Sequence, residues 1–199
     1  MKRKIVICIS IAVGIALLVT GTFVLRKQQM VHQLSNEVFR FHVLANSDNE
    51  KDQTLKMQVK EAIIAYMKEE IPDAKSAKET KEWAQNHLTE LEDVATDLIR
   101  EKGYRYAVKA EVLKCYFPEK VYGDITFPHG KYDALRIKIG AAKGKNWWCV
   151  LYPNLCFVDA TYAVVPKEGK EELQHVLDEE TYDMITEKPK FKIRWFFFS

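Results

Sequence analysis

Ile5 to Leu25 is an unbroken run of 21 residues without a charge, preceded by Lys2-Arg3-Lys4 and followed by Arg26-Lys27. About 20 apolar residues suffice to cross a bilayer as a helix, whereas the apolar part of a cleaved secretion signal takes roughly 7–15. The length favours an uncleaved signal-anchor, while Val19-Thr20-Gly21 keeps a small-residue cleavage site open. The basic residues before the run outnumber those just after it, a modest lean toward a cytoplasmic N-terminus and an outer body. Residues 1–25 thus leave the folding problem. Residues 26–38 read as a polar tether, an extension of the membrane helix or a stalk, and residues 39–199 as one extracytoplasmic domain with a core of its own.

The whole chain holds 30 Lys+Arg and 28 Asp+Glu, and beyond residue 25 the balance is 27 to 28. A near-neutral body argues against a nucleic-acid binder, which needs a basic face. Cys8 lies in the apolar run, and Cys115, Cys149 and Cys156 lie in the body. An odd count there permits one internal disulfide and one free thiol. Pro153-Asn154 offers a turn that brings Cys149 to Cys156 as a possible disulfide; the other reading is three buried thiols. No C-x-x-C occurs, and no histidine stands at ligand spacing, so no metal, cofactor or small molecule is inferred.

Periodicity divides the body. Phe39 to Leu44 has strand-like residues and breaks into Asn46-Ser47-Asp48-Asn49-Glu50, where Ser47 to Glu50 fits a capping box. Leu55, Val59, Ala62, Ile63 and Tyr66 then keep a helical period, giving a helix from about Asn49 to Ile71 that stops against Pro72. Ser76 to Glu79 is a second capping box and opens one long helix, with Trp83, Leu88, Leu91, Val94, Ala95, Leu98 and Ile99 on its apolar face and Gly103 at its end. Tyr104 to Val112 alternates as a half-buried strand. Val121 to Phe127 reads as another strand, paired as a hairpin with Lys131 to Ile139 through Pro128-His129-Gly130. Gly140 to Gly144 is a loop, and Trp147 to Tyr152 is apolar on both faces, as in a central strand. A short extended piece at Thr161–Val165, a helix from about Glu168 to Leu177 and an aromatic end at Phe191–Phe198 complete the chain. The expectation is an α+β fold: an N-terminal membrane helix or signal segment, then one compact domain with two to three helices on a mixed or antiparallel sheet. A parallel pairing of the first strand is allowed, because the helices after it can serve as a crossover.

Two blocks carry a resemblance. The first is His42-Val43-Leu44-Ala45-Asn46-Ser47-Asp48 with Asp52-Gln53 and Leu55-Lys56. The second runs from Phe117-Pro118 through Tyr122-Gly123, Phe127-Pro128, Gly130, Tyr132 and Ala134-Leu135-Arg136, and on to Gly140. It closes on Gly144-Lys145-Asn146-Trp147-Trp148-Cys149-Val150-Leu151-Tyr152-Pro153 with Leu155-Cys156-Phe157. Together they resemble the stage II sporulation protein R family over about residues 37 to 158. The resemblance implies an intercompartmental signalling protein exported from the forespore of an endospore former. It would activate a membrane-embedded aspartic protease of the mother cell, which cleaves the sigma-E precursor. Such a chain is a ligand rather than an enzyme. Motif and polarity together single out His42, Asn46, Ser47, Asp48, Asp52 and Lys56 as partner-binding residues, with Lys143, Lys145 and Asn146 as a second set, although capping alone accounts for several of the first group.

Enzyme readings find less support. Ser47 has Asp48 and His42 nearby in sequence but no G-x-S-x-G elbow. Gly140 to Asn146 lacks the hydroxyl residue that ends a phosphate loop. The alternative of a different class is a membrane-anchored cell-envelope hydrolase using Cys149 as a thiolate, paired with His42 or His129.

Overall fold

Strand residues alternate between the two faces of a sheet, and in β1 (Phe39–Leu44) both faces are covered: Phe39 to Val43 are all buried. The computed structural model describes residues 2–71, 74–153, 155–156, 165 and 167–186. Around β1 stand β2 (Val108–Phe117), β5 (Gly130–Ile139) and β6 (Asn146–Tyr152) in the order β2-β5-β1-β6. β1 runs parallel to β5 and antiparallel to β6, and β2 runs antiparallel to β5. A separate hairpin pairs β3 (Lys120–Tyr122) with β4 (Ile125–Phe127). The α+β class expected from the sequence is the architecture found, with a mixed sheet.

One face of the sheet packs Phe39, Phe41, Val43, Leu135 and Ile137 under α2 (Glu50–Glu70), α3 (Ala77–Asn86) and α4 (Leu88–Glu101), which contribute Leu55, Val59, Ile63, Leu91, Ala95 and Ile99. The other face gathers Phe117, Tyr132, Ala134 and Val150 with Leu173 of α5 (Lys167–Val176) and Ile185 of α6 (Glu179–Thr186). The end of α1 (Lys2–Glu37) joins this second cluster through Leu34, followed by Val38. Residues 26–37 therefore continue the helix. Earlier in α1, Ile5, Ile7, Ile9 and Ile11 and the large apolar side chains from Val13 to Leu25 are exposed, with Leu18 at 71%, as a lipid-facing helix would have them.

Several expectations change. The cap of α2 is Asn49, whose side chain accepts from Asp52 N; Ser47 lies outside the helix and accepts from Asn49 N instead. Ser76 does cap α3 by accepting from Glu79 N at 3.1 Å, while the Glu79 carboxylate reaches back to Lys75 N. The single long helix is two, because His87 leaves helical geometry (φ −119, ψ 29), places Nδ1 2.8 Å from Trp83 O and stacks its ring on Trp83. After α4 the chain turns at Gly103 (φ 82), with Tyr104 N donating to Ile99 O and Gly103 N to Arg100 O. That closure consumes Tyr104, so the strand begins at Val108 and runs on to Phe117. Val121 to Phe127 is a tight hairpin about Gly123 (φ 57) rather than one strand. β5 pairs with β1 and β2 instead of that hairpin, since a strand with Tyr132, Leu135, Ile137 and Ile139 buried needs long neighbours on both sides. Among the described residues β6 has β1 as its one strand neighbour, where a central strand would have two, and its Trp148 and Val150 carbonyls accept from the Tyr122 hydroxyl and Leu155 N. Trp147 and Trp148 do point to opposite faces, one toward each cluster. The expectations for residues 161–164 and 191–198 lie outside the described residues.

Topology fixes the polarity of the body. β1 and β5 run toward one end, and β2 and β6 start from it, so connections 45–49, 102–107 and 140–145 meet there. α1 packs at the opposite end, where Val31 faces Gly130, the first residue of β5.

Candidate interaction site

The chain after β1 cannot enter α2 without satisfying the free donors of a helix start. Asn49 supplies the cap, and Asp52, one turn in, is only 2% exposed. Asp52 Oδ2 accepts from Ser47 Oγ at 2.6 Å, Asn46 Nδ2 at 2.8 Å and Asn49 Nδ2 at 3.1 Å. Burial by itself would raise the Asp52 pKa, but hydrogen bonding from Ser47 and Asn46, with Tyr106 and Asn49 beside them, holds it below the ordinary value. The carboxylate therefore stays charged and organises the turn.

The same turn clasps the connection between β5 and β6. Asn46 Oδ1 accepts from Ala141 N at 2.9 Å, and Asp48 Oδ1 accepts from Lys145 N at 2.6 Å. Gly144 N donates to Ala45 O, and Lys143 N to Asn46 O. From α2, Lys56 donates to Gln53 Oε1 and to Lys145 O. Two glycines make the approach possible. A Cβ on Gly144 would overlap Ser47 O, and one on Gly140 (φ 56) would overlap the Asn46 carboxamide. Gly140 N reaches Ala107 O at 2.8 Å and ties in the third connection.

Of the nine candidate residues, Asn46, Ser47, Asp48, Asp52 and Lys56 come together in this network, their polar groups spent on one another and on loop backbone. Lys143 and Lys145 are exposed on the loop it holds, and Asn146 is exposed at the start of β6. His42 is apart from it. It is 5% exposed, its ring stacks on Trp148 at 3.8 Å, and neither ring nitrogen has a hydrogen-bond partner. Burial first, then the Arg136 charge, pushes its pKa down to about 4, and Asn146 nearby offsets only part of this, so the ring is neutral at pH 7. A Ser-His-Asp relay is not assembled: Ser47 donates to Asp52, and His42 bonds to neither.

Sequence reasoning missed Arg40, which is fully buried. Its Nε donates to Cys149 O and its Nη2 to the Tyr122 hydroxyl, inside a cage of Phe117, Tyr122, Phe127 and Tyr132. The signal available was a basic residue between two phenylalanines in an apolar strand. Also missed was the Glu111 carboxylate, paired with Arg136 and Lys138 on the same sheet face.

The family model of stage II sporulation protein R matches residues 35–162. The chain belongs to the stage II sporulation protein R family. The curated Stage II sporulation protein R of Bacillus subtilis (strain 168) is 31% identical over 195 residues, which covers 91% of this chain and 85% of that protein. No solved structure matches. The matched span opens on the last turn of α1 and takes in the whole sheet and the Asp52 network, while the apolar run, α5 and α6 lie outside it. The matched span thus includes the clasped loops of this chain.

Cys149 and Cys156 are joined in a disulfide with Cα atoms 5.5 Å apart, so Cys149 presents no thiolate. Alkylation of the native, unreduced protein is expected to leave both unmodified, and to modify both after reduction and unfolding. A labelled Cys149 in the native protein would revive a thiol nucleophile. Closing so short a loop contributes about 2–3 kcal/mol, the loss expected for Cys149→Ser with Cys156→Ser in chemical denaturation.

Proposed function

We propose that this chain is an intercompartmental sporulation signal, exported from the forespore and held by residues 5–25, that acts outside the membrane on a membrane-embedded aspartic protease of the mother cell. The protease then cleaves the sigma-E precursor, and the catalytic aspartates belong to the protease rather than to this chain. The observation that carries this reading is the placement of the family signature. Asn46 to Asp48, Asp52 and Lys56 of its first block, with Gly140, Gly144 and Lys145 of its second, form a clasped loop cluster at the end of the body opposite the one helix, among the described residues, long and apolar enough to cross a bilayer. A ligand held in one membrane and addressing a protein in a facing membrane needs that polarity. The disulfide supports an oxidising location outside the cytoplasm.

Lys143, Lys145 and Asn146 act as contact residues in this reading. Asn46, Ser47, Asp48, Asp52 and Lys56 act mainly by positioning the loop, and His42 by packing under Trp148. Activation requires tighter binding to the active state of the protease; about 5.5 kcal/mol of preference would carry it from 1% to 99% populated. The test is complementation. In an endospore former deleted for its own member of the family, this chain should restore cleavage of the precursor, and a version lacking residues 5–25 should not. Equal restoration by the version without the apolar run would contradict the location.

A further inference from the structure

We infer that the three clasped connections form a basic docking surface for an acidic segment of the partner protein. The inference rests on the ligand reading above and adds to it the chemistry of the contact and residues outside the signature. Connections 45–49, 102–107 and 140–145 carry Lys102, Arg105, Lys143 and Lys145 against the single acid Asp48, although the body beyond residue 25 holds 27 basic and 28 acidic residues. Asp48 is partly spent inward, on Lys145 N. Glu50 and Asp52 at the start of α2 are offset by Lys51 and Lys56, and Lys102 pairs with Glu101 at 3.0 Å. Arg105, Lys143 and Lys145 are exposed and make no ion pair among the described residues. A body without net positive charge thus carries a local basic excess at the end farthest from α1.

Two features favour a protein over a lipid surface. A headgroup layer asks only for basic side chains with apolar anchors beside them. Outside α1 the large exposed apolar residues among those described are Tyr116 and Val121, and neither lies in these connections. The loop backbone is also fixed, at Ala141 N, Lys143 N, Gly144 N and Lys145 N, with Tyr104 and Tyr106 stacked and half-buried beside it. Rigid charge with adjacent tyrosine suits a protein interface, where charge complementarity steers encounter and fixes register.

The experiment uses the full chain, tagged and co-expressed with the protease and the sigma-factor precursor in a non-sporulating bacterium. It compares Arg105→Glu with Lys143→Glu and Lys145→Glu in one variant against Lys78→Glu with Lys114→Glu and Lys131→Glu, three exposed lysines away from these connections. Capture of the protease on the tag and cleavage of the precursor are read separately. The first variant should lose capture about tenfold or more and the second less than about twofold. Equal capture by the first variant and wild type overturns the inference, as does a larger loss in the second. So does intact capture accompanied by lost cosedimentation with phosphatidylglycerol vesicles, which would make the surface lipid-binding. Capture by wild type without cleavage would refute activation alone, and the capture ratio would still decide the docking surface.

Discussion

Arg40→Ala is expected to cost about 3–5 kcal/mol of unfolding free energy. The side chain is among the largest that the body buries completely, and its removal leaves a cavity walled by Phe117, Tyr122, Phe127 and Tyr132. It also strips the Tyr122 hydroxyl and Cys149 O of a donor. Burial lowers the Arg40 pKa, with Tyr122 and Tyr132 opposing the shift, yet a guanidinium remains charged at neutral pH. Among the described residues no carboxylate pairs with it, and Nη1 has no partner at all. The ring faces and two oxygens must therefore offset its desolvation. Arg40→Met refills most of the volume without burying a charge, and should cost less than half as much. The check is the urea midpoint of both variants. Equal losses would mean that filling the space matters little and that the polar contacts dominate.

Asp52→Ala should cost about 3 kcal/mol, since one buried carboxylate oxygen accepts three side-chain donors, of which Asn46 Nδ2 and Ser47 Oγ would be left unpaired while Asn49 Nδ2 keeps its bond to Ser47 Oγ. Asp52→Asn keeps the shape and loses the charge, so an intermediate loss is expected. The pH dependence follows from the sign of the shift. The folded pKa is depressed, so the Asp52 contribution is present in full above its unfolded value near pH 4 and disappears as pH falls through the folded value. Wild type should therefore lose more stability than Asp52→Ala when acidified below about pH 4, as read by thermal melts across pH. Parallel pH profiles would remove the charge from the account. Because Asp52 also orders Asn46 and Ser47, the folded fraction of Asp52→Ala should still activate the protease poorly.

What could be read from the chain divides by range. The apolar run, the cap at Ser76 and the span of α2 depend on residues within a few positions of one another, and they were legible. The break at His87 was not, because the helical period passes through it and the cause is a side chain seeking the Trp83 carbonyl. Strand order was the least legible part. β5 takes its parallel partner from about 90 residues upstream, and alternation within a strand says which face is buried without saying which strand lies beside it. At the site, Asn46 to Asp48 stood out as polar, but their partners Ala141 and Lys145 are nearly 100 residues away, so the hold of these side chains on the second loop was not legible. Arg40 went unread because hydropathy penalises a charge in a strand and cannot foresee four aromatic rings around it.

The most direct measurement is reconstitution of cleavage in a bacterium that does not sporulate, supplied only with the protease, the sigma-E precursor and this chain, each verified as present and inserted. The account predicts cleavage that requires the chain with its apolar run intact and that is absent with the protease alone. Cleavage independent of the chain, or none when all three are in place, would contradict direct activation.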